Sequence, residues 1–141
     1  MSGFKLNFLD HVAIRVRDVE TSALWYENVL GLKRHQLKEW GDYPILMLSD
    51  TSGVAIFPAN TNDPIITSGS RNIKIDHFAF NVTQDDFKKA QEVFNELKID
   101  FEIQDHHYFH SVYIKDPDNH TVELTTLMVS AASFYNKGTY E

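Results

Sequence analysis

The chain contains no cysteine. Disulfides, a thiolate nucleophile and thiolate metal sites are therefore excluded, and any metal must be held by imidazole and carboxylate. The same absence suits a reducing compartment, so a cytoplasmic location is expected. Positive charge is also scarce: 13 Lys and Arg stand against 20 Asp and Glu, a formal net charge of -7. Binding to nucleic acid depends on clustered basic residues in surplus, so nucleic acid is not an expected partner. No run approaches the roughly 18 apolar residues of a membrane span, and no basic segment leads into an apolar one at the N-terminus. Neither a membrane partner nor a targeting signal is expected.

Apolar surface is not scarce. Hydrophobic residues make up 43% of the 141, with 10 Phe and 6 Tyr among them, enough to offset chain entropy in one domain or in two small halves sharing a core. Two halves are visible as an internal repeat. Leu9-Asp10-His11-Val12-Ala13-Ile14-Arg15-Val16 aligns with Ile75-Asp76-His77-Phe78-Ala79-Phe80-Asn81-Val82, with Asp, His, Ala and Val identical. Asn28 and Leu30 then meet Asn95 and Leu97 after a one-residue slip.

Each copy opens with the period-2 alternation of a half-buried strand and passes through a helix cap into a 3.6-residue period. In the first copy Asp18 is the candidate N-cap, Leu24, Trp25, Val29 and Leu30 supply apolar surface, and Gly31 stands where a left-handed residue ends a helix. In the second, Thr83 and Asp86 have N-cap spacing, and Phe87, Ala90, Phe94 and Leu97 share a face. Strand periodicity returns over residues 33–38, 44–48 and 54–57, and again over 100–104, 111–115 and 121–125. Each copy thus reads β-α-β-β-β. The last hairpins correspond after a two-residue insertion in the second turn, so that Val54-Ala55-Ile56 matches Val122-Glu123-Leu124. The expected division is a first module over residues 1–57, a Pro-, Asn-, Ser-, Thr- and Gly-rich linker over 58–72, a second module over 73–127 and a C-terminal extension of helical character over 128–141.

Strand parity separates core from site, because residues two apart share a face. Val12, Ile14 and Val16 make the helix-facing side of the first strand, leaving His11, Ala13 and Arg15 opposite. By the same rule His77, Ala79 and Asn81, then Ser111, Tyr113 and Lys115, then Thr121, Glu123 and Thr125, face away from the helices. A sheet curved about that face would form a cup lined by small and polar side chains, suited to a ligand. Two imidazoles and one carboxylate meeting there would hold a divalent metal and leave positions open. His11, His77 and Glu123 are the candidate metal ligands.

The motifs Leu9-Asp10-His11-Val12-Ala13-Ile14-Arg15-Val16-Arg17-Asp18, Trp25-Tyr26-Glu27-Asn28-Val29-Leu30-Gly31-Leu32, Ile75-Asp76-His77 and Tyr113-Ile114-Lys115-Asp116-Pro117-Asp118-Asn119-His120-Thr121-Val122-Glu123-Leu124 resemble the vicinal oxygen chelate superfamily. That superfamily includes glyoxalase I, fosfomycin- and bleomycin-resistance proteins and extradiol ring-cleaving dioxygenases. The resemblance runs from Leu9 to about Thr126, and it is specific for the superfamily rather than for one reaction. It implies an α+β fold of two paired βαβββ modules forming a curved mixed sheet around a central cup, with helices outside. It implies metal ligands at His11, Ala55, His77 and Glu123. Ala55 cannot ligate, which leaves three ligands and removes the carboxylate that glyoxalases use for proton transfer.

Fosfomycin-resistance enzymes and extradiol dioxygenases both use a His, His, Glu set. The former carry an arginine shortly after the glutamate, where this chain has Ala132; the latter have a histidine a little before the second histidine ligand, and none lies between His35 and His77. Tyr113 stands ten residues before Glu123, the spacing at which extradiol enzymes place a tyrosine beside the substrate oxygen. In the cluster His106-His107-Tyr108-Phe109-His110, parity puts His110 toward the helices and leaves His106 or His107 for proton transfer. His107 joins Tyr113 as a catalytic candidate.

Arg15 and Lys115 would favour an anionic or enolate-bearing substrate; Glu39, Trp40 and Asp42 border the entrance without assigned roles. The expected protein is a cytoplasmic homodimeric enzyme acting on a small anionic or catecholic molecule with a divalent ion, Fe(II) or Mn first and Zn, Ni or Mg next. Ring-cleaving dioxygenase chemistry leads; the alternatives are a glyoxalase-like lyase or isomerase, a fosfomycin-type thiol transferase, or a metal-free drug- or metabolite-binding protein.

Overall fold

A computed structural model describes residues 3–67, 69 and 71–136. The chain divides between Ile65 and Ile66 into two units. The first contains β1 (His11–Val16), α1 (Val19–Leu30), β2 (Lys33–His35), a 3-10 turn (Lys38–Trp40), β3 (Ile45–Ser49) and β4 (Ser52–Pro58). The second contains β5 (Phe78–Asn81), α2 (Gln84–Glu96), β6 (Glu102–Asp105), β7 (Phe109–Lys115), β8 (Thr121–Leu127) and the short α3 (Ala131–Tyr135). No helix among the described residues is long and apolar enough to cross a membrane.

The two units repeat one topology. Each has a four-stranded mixed sheet, ordered β1-β4-β3-β2 in the first and β5-β8-β7-β6 in the second, with the first and last strands parallel and the other pairs antiparallel. Register carries the repeat to single residues: Ala13 lies opposite Ala55, and Ala79 lies opposite Glu123. The two-residue insertion read from sequence is therefore present between the parallel partners.

Local chemistry sets the helix limits. Asp18 accepts from the Thr21 amide at 2.8 Å and Thr83 Oγ1 from the Asp86 amide at 3.1 Å, each satisfying a donor that a helix start leaves unpaired. Gly31, at φ 68°, ends α1 in the left-handed conformation that favours glycine. The buried face of α1 differs from the apolar count. Ser22, Ala23 and Tyr26 are 0% exposed whereas Leu24 is 44% exposed. Tyr26 and its small neighbours Ser22 and Ala23 are thus the buried side of a helix that packs on β3 and β4. The strand expected over 33–38 ends at His35, and Lys38 instead opens the 3-10 segment ahead of Gly41.

Ile14, Val16, Met47, Val54 and Ile56 are the buried strand face of the first unit; Val112, Ile114, Val122 and Leu124, with Phe87 and Phe94 from α2, form that of the second. Each such side chain contributes about 1.5–3 kcal/mol relative to exposure. This apolar side fixes, by parity, what the opposite side must present.

Gly53 is a steric requirement of the β3–β4 hairpin. A Cβ there would stand 2.0 Å from the Met47 carbonyl oxygen. Strand propensity alone favours alanine over glycine, but backbone overlap outweighs it. Gly53→Ala is expected to lower unfolding free energy by about 1–3 kcal/mol, read by urea denaturation, while Gly3→Ala, whose Cβ would meet nothing within 4 Å, leaves it unchanged.

Candidate metal centre

The second unit builds its polar face from one hairpin. Asp116 sets the turn: its Oδ1 accepts from the amides of Asp118 and His120, both at 2.9 Å, and Asn119 adopts a left-handed φ of 67°. The resulting β7–β8 register pairs Ser111 with Thr125, Tyr113 with Glu123 and Lys115 with Thr121. Three polar rungs thus share one side of the sheet. Ser111 and Thr125 hydroxyls meet at 2.9 Å, and Lys115 donates to Thr121.

Glu123 is the buried carboxylate of these rungs, with its side chain 10% exposed. His77, one residue before β5, lies against it, Nε2 standing 3.1 Å from Glu123 Oε2. The other imidazole nitrogen is engaged, since Nδ1 lies 2.7 Å from Asp76 Oδ2. A carboxylate only accepts, so Nδ1 carries the proton in that bond. The hydrogen bond from His77 holds the Asp76 carboxyl below its ordinary value, helped by the charges of Lys74 and Lys115.

With Nδ1 protonated, a neutral His77 turns a lone pair at Nε2 toward a carboxylate oxygen. Two acceptors in contact require a positive species between them, a proton or a cation. This donor pair fits a divalent metal: one imidazole nitrogen and one carboxylate, with the imidazole oriented through its far nitrogen.

The first unit repeats half of this arrangement. His11 Nδ1 lies 2.8 Å from Asp10 Oδ1, which leaves Nε2 for a ligand, and the side chain is 44% exposed. The segment is pinned to β4 by the Gly53 amide on the Asp10 carbonyl at 3.2 Å and by Ser52 Oγ on the Leu9 carbonyl at 2.9 Å. Where the second unit has Glu123, the first has the buried Ala55. Among the described residues, no group of three or more His, Asp or Glu side chains stands gathered as a metal site. The structure brings together His77 and Glu123, both in the second unit; His11 belongs to the first.

Tyr113 belongs to the His77–Glu123 pair. Burial raises its phenol first, and the hydrogen bond and negative charge of Glu123 raise it further, against a smaller lowering by Ser111. Its ring meets that of His77 edge-on with centroids 5.7 Å apart. Behind it, His106 Nε2 lies 2.8 Å from the Tyr113 hydroxyl. His107 does not occupy this place. Its left-handed φ of 71° and an amide bond to Asp105 Oδ1 at 2.8 Å swing its ring onto Tyr108, centroids 4.5 Å apart. Parity alone could not separate the two, because they sit in a turn rather than a strand. His110 pairs with Asp105 at 3.7 Å, and Arg15 donates to the Pro58 carbonyl at 3.0 Å while lying over the Phe57 ring. Asp10 and Asp76 had no assigned role; the signal that could have singled them out is their identity at matching places in both copies.

The family model of the Glyoxalase/Bleomycin resistance protein/Dioxygenase superfamily matches residues 8–124, a span containing His11, His77, Tyr113 and Glu123. The metallothiol transferase FosB of Lysinibacillus sphaericus (strain C3-41) is 27% identical over 127 residues, 84% of this chain and 81% of that protein. The crystal structure of a glyoxalase/dioxygenase from Nostoc punctiforme superposes with a TM-score of 0.77 at 20% identity, over 92% of this chain and 97% of that one. The fosfomycin resistance protein FosX of Mesorhizobium loti does so at 0.64 and 23% identity, over 93% and 99%. At these identities the two structures bear on the fold alone.

A raised Tyr113 pKa means the folded state holds that proton more tightly than the unfolded chain. Its contribution to stability is complete below the ordinary tyrosine value of about 10 and is lost as pH rises through the folded value. Ultraviolet titration of the chelator-treated protein is expected to show tyrosine ionisation extending above the ordinary range, and Tyr113→Phe to reduce that high-pH component.

Proposed function

The chain belongs to the Glyoxalase/Bleomycin resistance protein/Dioxygenase superfamily, and on that premise we propose that it is a divalent-metal-dependent enzyme acting on a small molecule with two neighbouring oxygens. His11, His77 and Glu123 are the proposed protein ligands, with Fe(II) or Mn(II) the favoured ion and Zn, Ni or Mg compatible with the same donors. The observation that carries this reading is the 3.1 Å contact between His77 Nε2 and Glu123 Oε2, with Nδ1 already committed to Asp76. When bound, the ion supplies a Lewis-acid centre at which adjacent substrate oxygens chelate and developing negative charge is stabilised.

The remaining work falls to the polar rungs. Tyr113 keeps its phenol protonated, so it can donate to an oxyanion that forms on the substrate, and His106 gives the hydroxyl a partner for returning that proton. Lys115, one rung along, offers a cation to an anionic substituent; on the other side Thr125 offers a hydroxyl backed by the buried Ser111. A catechol meets these demands, having vicinal oxygens and one proton to lose as it chelates. Oxygen-dependent ring cleavage of a catechol with Fe(II) is accordingly the first reading.

Metal-dependent thiol transfer is the second, favoured by the 27% identity to a metallothiol transferase. The stretch from Glu123 to Asn136 contains no Arg or Lys to grip a phosphonate, which weighs against it. A glyoxalase-type lyase would need a carboxylate where Ala55 stands. Members of this superfamily often dimerise, and a cytoplasmic homodimer is part of the proposal, tested by solution mass at twice 16.3 kDa.

Protein purified without chelators is expected to contain about one divalent ion per chain by elemental analysis, and His77→Ala to lose it. With Fe(II) and oxygen, a panel of catechols should then be turned over, and Tyr113→Phe should lower kcat by about 100-fold while metal content stays constant. Turnover of fosfomycin with Mn(II) and a thiol, without catechol cleavage, would select the second reading. Absence of metal in the wild type, before and after reconstitution, would withdraw both and leave a binding protein.

A further inference from the structure

Both candidate histidine ligands are preceded by an aspartate, and both aspartates close on Nδ1 of the histidine that follows them. The distances are 2.8 Å for Asp10 and His11 and 2.7 Å for Asp76 and His77. The units have different sequences around this pair, different partners across the parallel strands and different faces beyond it. Asp-His is one of the few identities the two copies keep.

We propose that Asp10 and Asp76 are positioning residues of the metal centre, each binding Nδ1–H of the following histidine so that Nε2 is the nitrogen presented to the ion. The proposal rests on the metal-enzyme reading given above. Free imidazole can ligate through either nitrogen and rotate about two side-chain bonds; a carboxylate on Nδ1 removes the first choice and restricts the second. In the second unit the consequence is direct, because the nitrogen freed by Asp76 is the one facing Glu123 at 3.1 Å. Asp76 itself is largely exposed, with 79% of its side chain accessible, so its place next to His77 is not a product of core packing. A carboxylate on the far nitrogen also raises the electron density of the ligating one, which strengthens a bond to a divalent cation.

The experiment uses the full chain and Zn(II) alone, with affinity measured by competition against a chelating dye. Asp76→Ala is expected to weaken Zn(II) binding by about 10–100-fold. Asp76→Asn, whose amide oxygen still accepts from Nδ1–H, should recover most of that loss. A readout independent of affinity is the nitrogen-15 correlation spectrum of the Zn(II)-loaded protein. The wild type and Asp76→Asn should show Nε2 ligation with a slowly exchanging Nδ1–H for His77, and Asp76→Ala should lose that signal.

Unchanged affinity in Asp76→Ala, with wild-type binding intact, overturns the proposal while the metal reading stands. Equal loss in the alanine and asparagine variants also overturns it, since charge rather than placement would then be responsible. Failure of the wild type to bind Zn(II), Mn(II) or Fe(II) overturns the metal reading itself. Asp10→Ala and Asp10→Asn, read in the same way, test the first unit.

Discussion

An imidazole nitrogen and a carboxylate oxygen held 3.1 Å apart, with the far side of the imidazole already bonded, is the constraint on which the site depends. Such a pair needs a proton or a cation between its two atoms, and the surrounding structure keeps them there. Glu123 is fixed by the β7–β8 register, which the Asp116 turn sets through two bonds to its carboxylate. His77 is fixed by its place at the mouth of β5, parallel to β8, and by Asp76. Tyr113, opposite Glu123 and closed behind by His106, adds a donor at the edge of the pair. The apolar residues on the reverse of the same strands hold this hairpin against α2, so the core and the polar face are one construction seen from two sides.

Comparison of the two units shows how a duplicated module acquires unequal roles. The Asp-His step is kept in both, as are the parallel pairing of first and last strands and the capped helix between them. The carboxylate is kept in one. Ala55 is buried opposite Ala13 where Glu123 stands opposite Ala79. The first unit thereby keeps the Asp-His step alone, and the second keeps it beside a glutamate. The proposed three-donor set would leave more coordination positions for substrate oxygens than a four-donor set does.

Much of this was legible because it follows from period and chemistry at single positions. Asp18, Gly31 and Thr83 act as the caps their residue types predict, since cap preferences are local. The polar side of β7 and β8 follows from alternation, and so do Tyr113 and Glu123. What was not legible depends on three dimensions. Tyr26 replaces Leu24 in the core because helix rotation is decided by what the sheet can accommodate, not by hydrophobicity. His106 rather than His107 reaches Tyr113 because a left-handed residue in the β6–β7 turn reverses the expected direction. Asp10 and Asp76 were visible as a repeated identity, yet their role needed the distance to Nδ1.

X-ray absorption at the edge of the bound ion in the Mn(II)-loaded protein tests the donor set most directly. Two imidazole rings with the remaining ligands all oxygen is the predicted first shell, falling to one ring, or to no bound ion, in His77→Ala. A wild-type spectrum without imidazole scattering, or an ion whose environment is indifferent to His77, would contradict it.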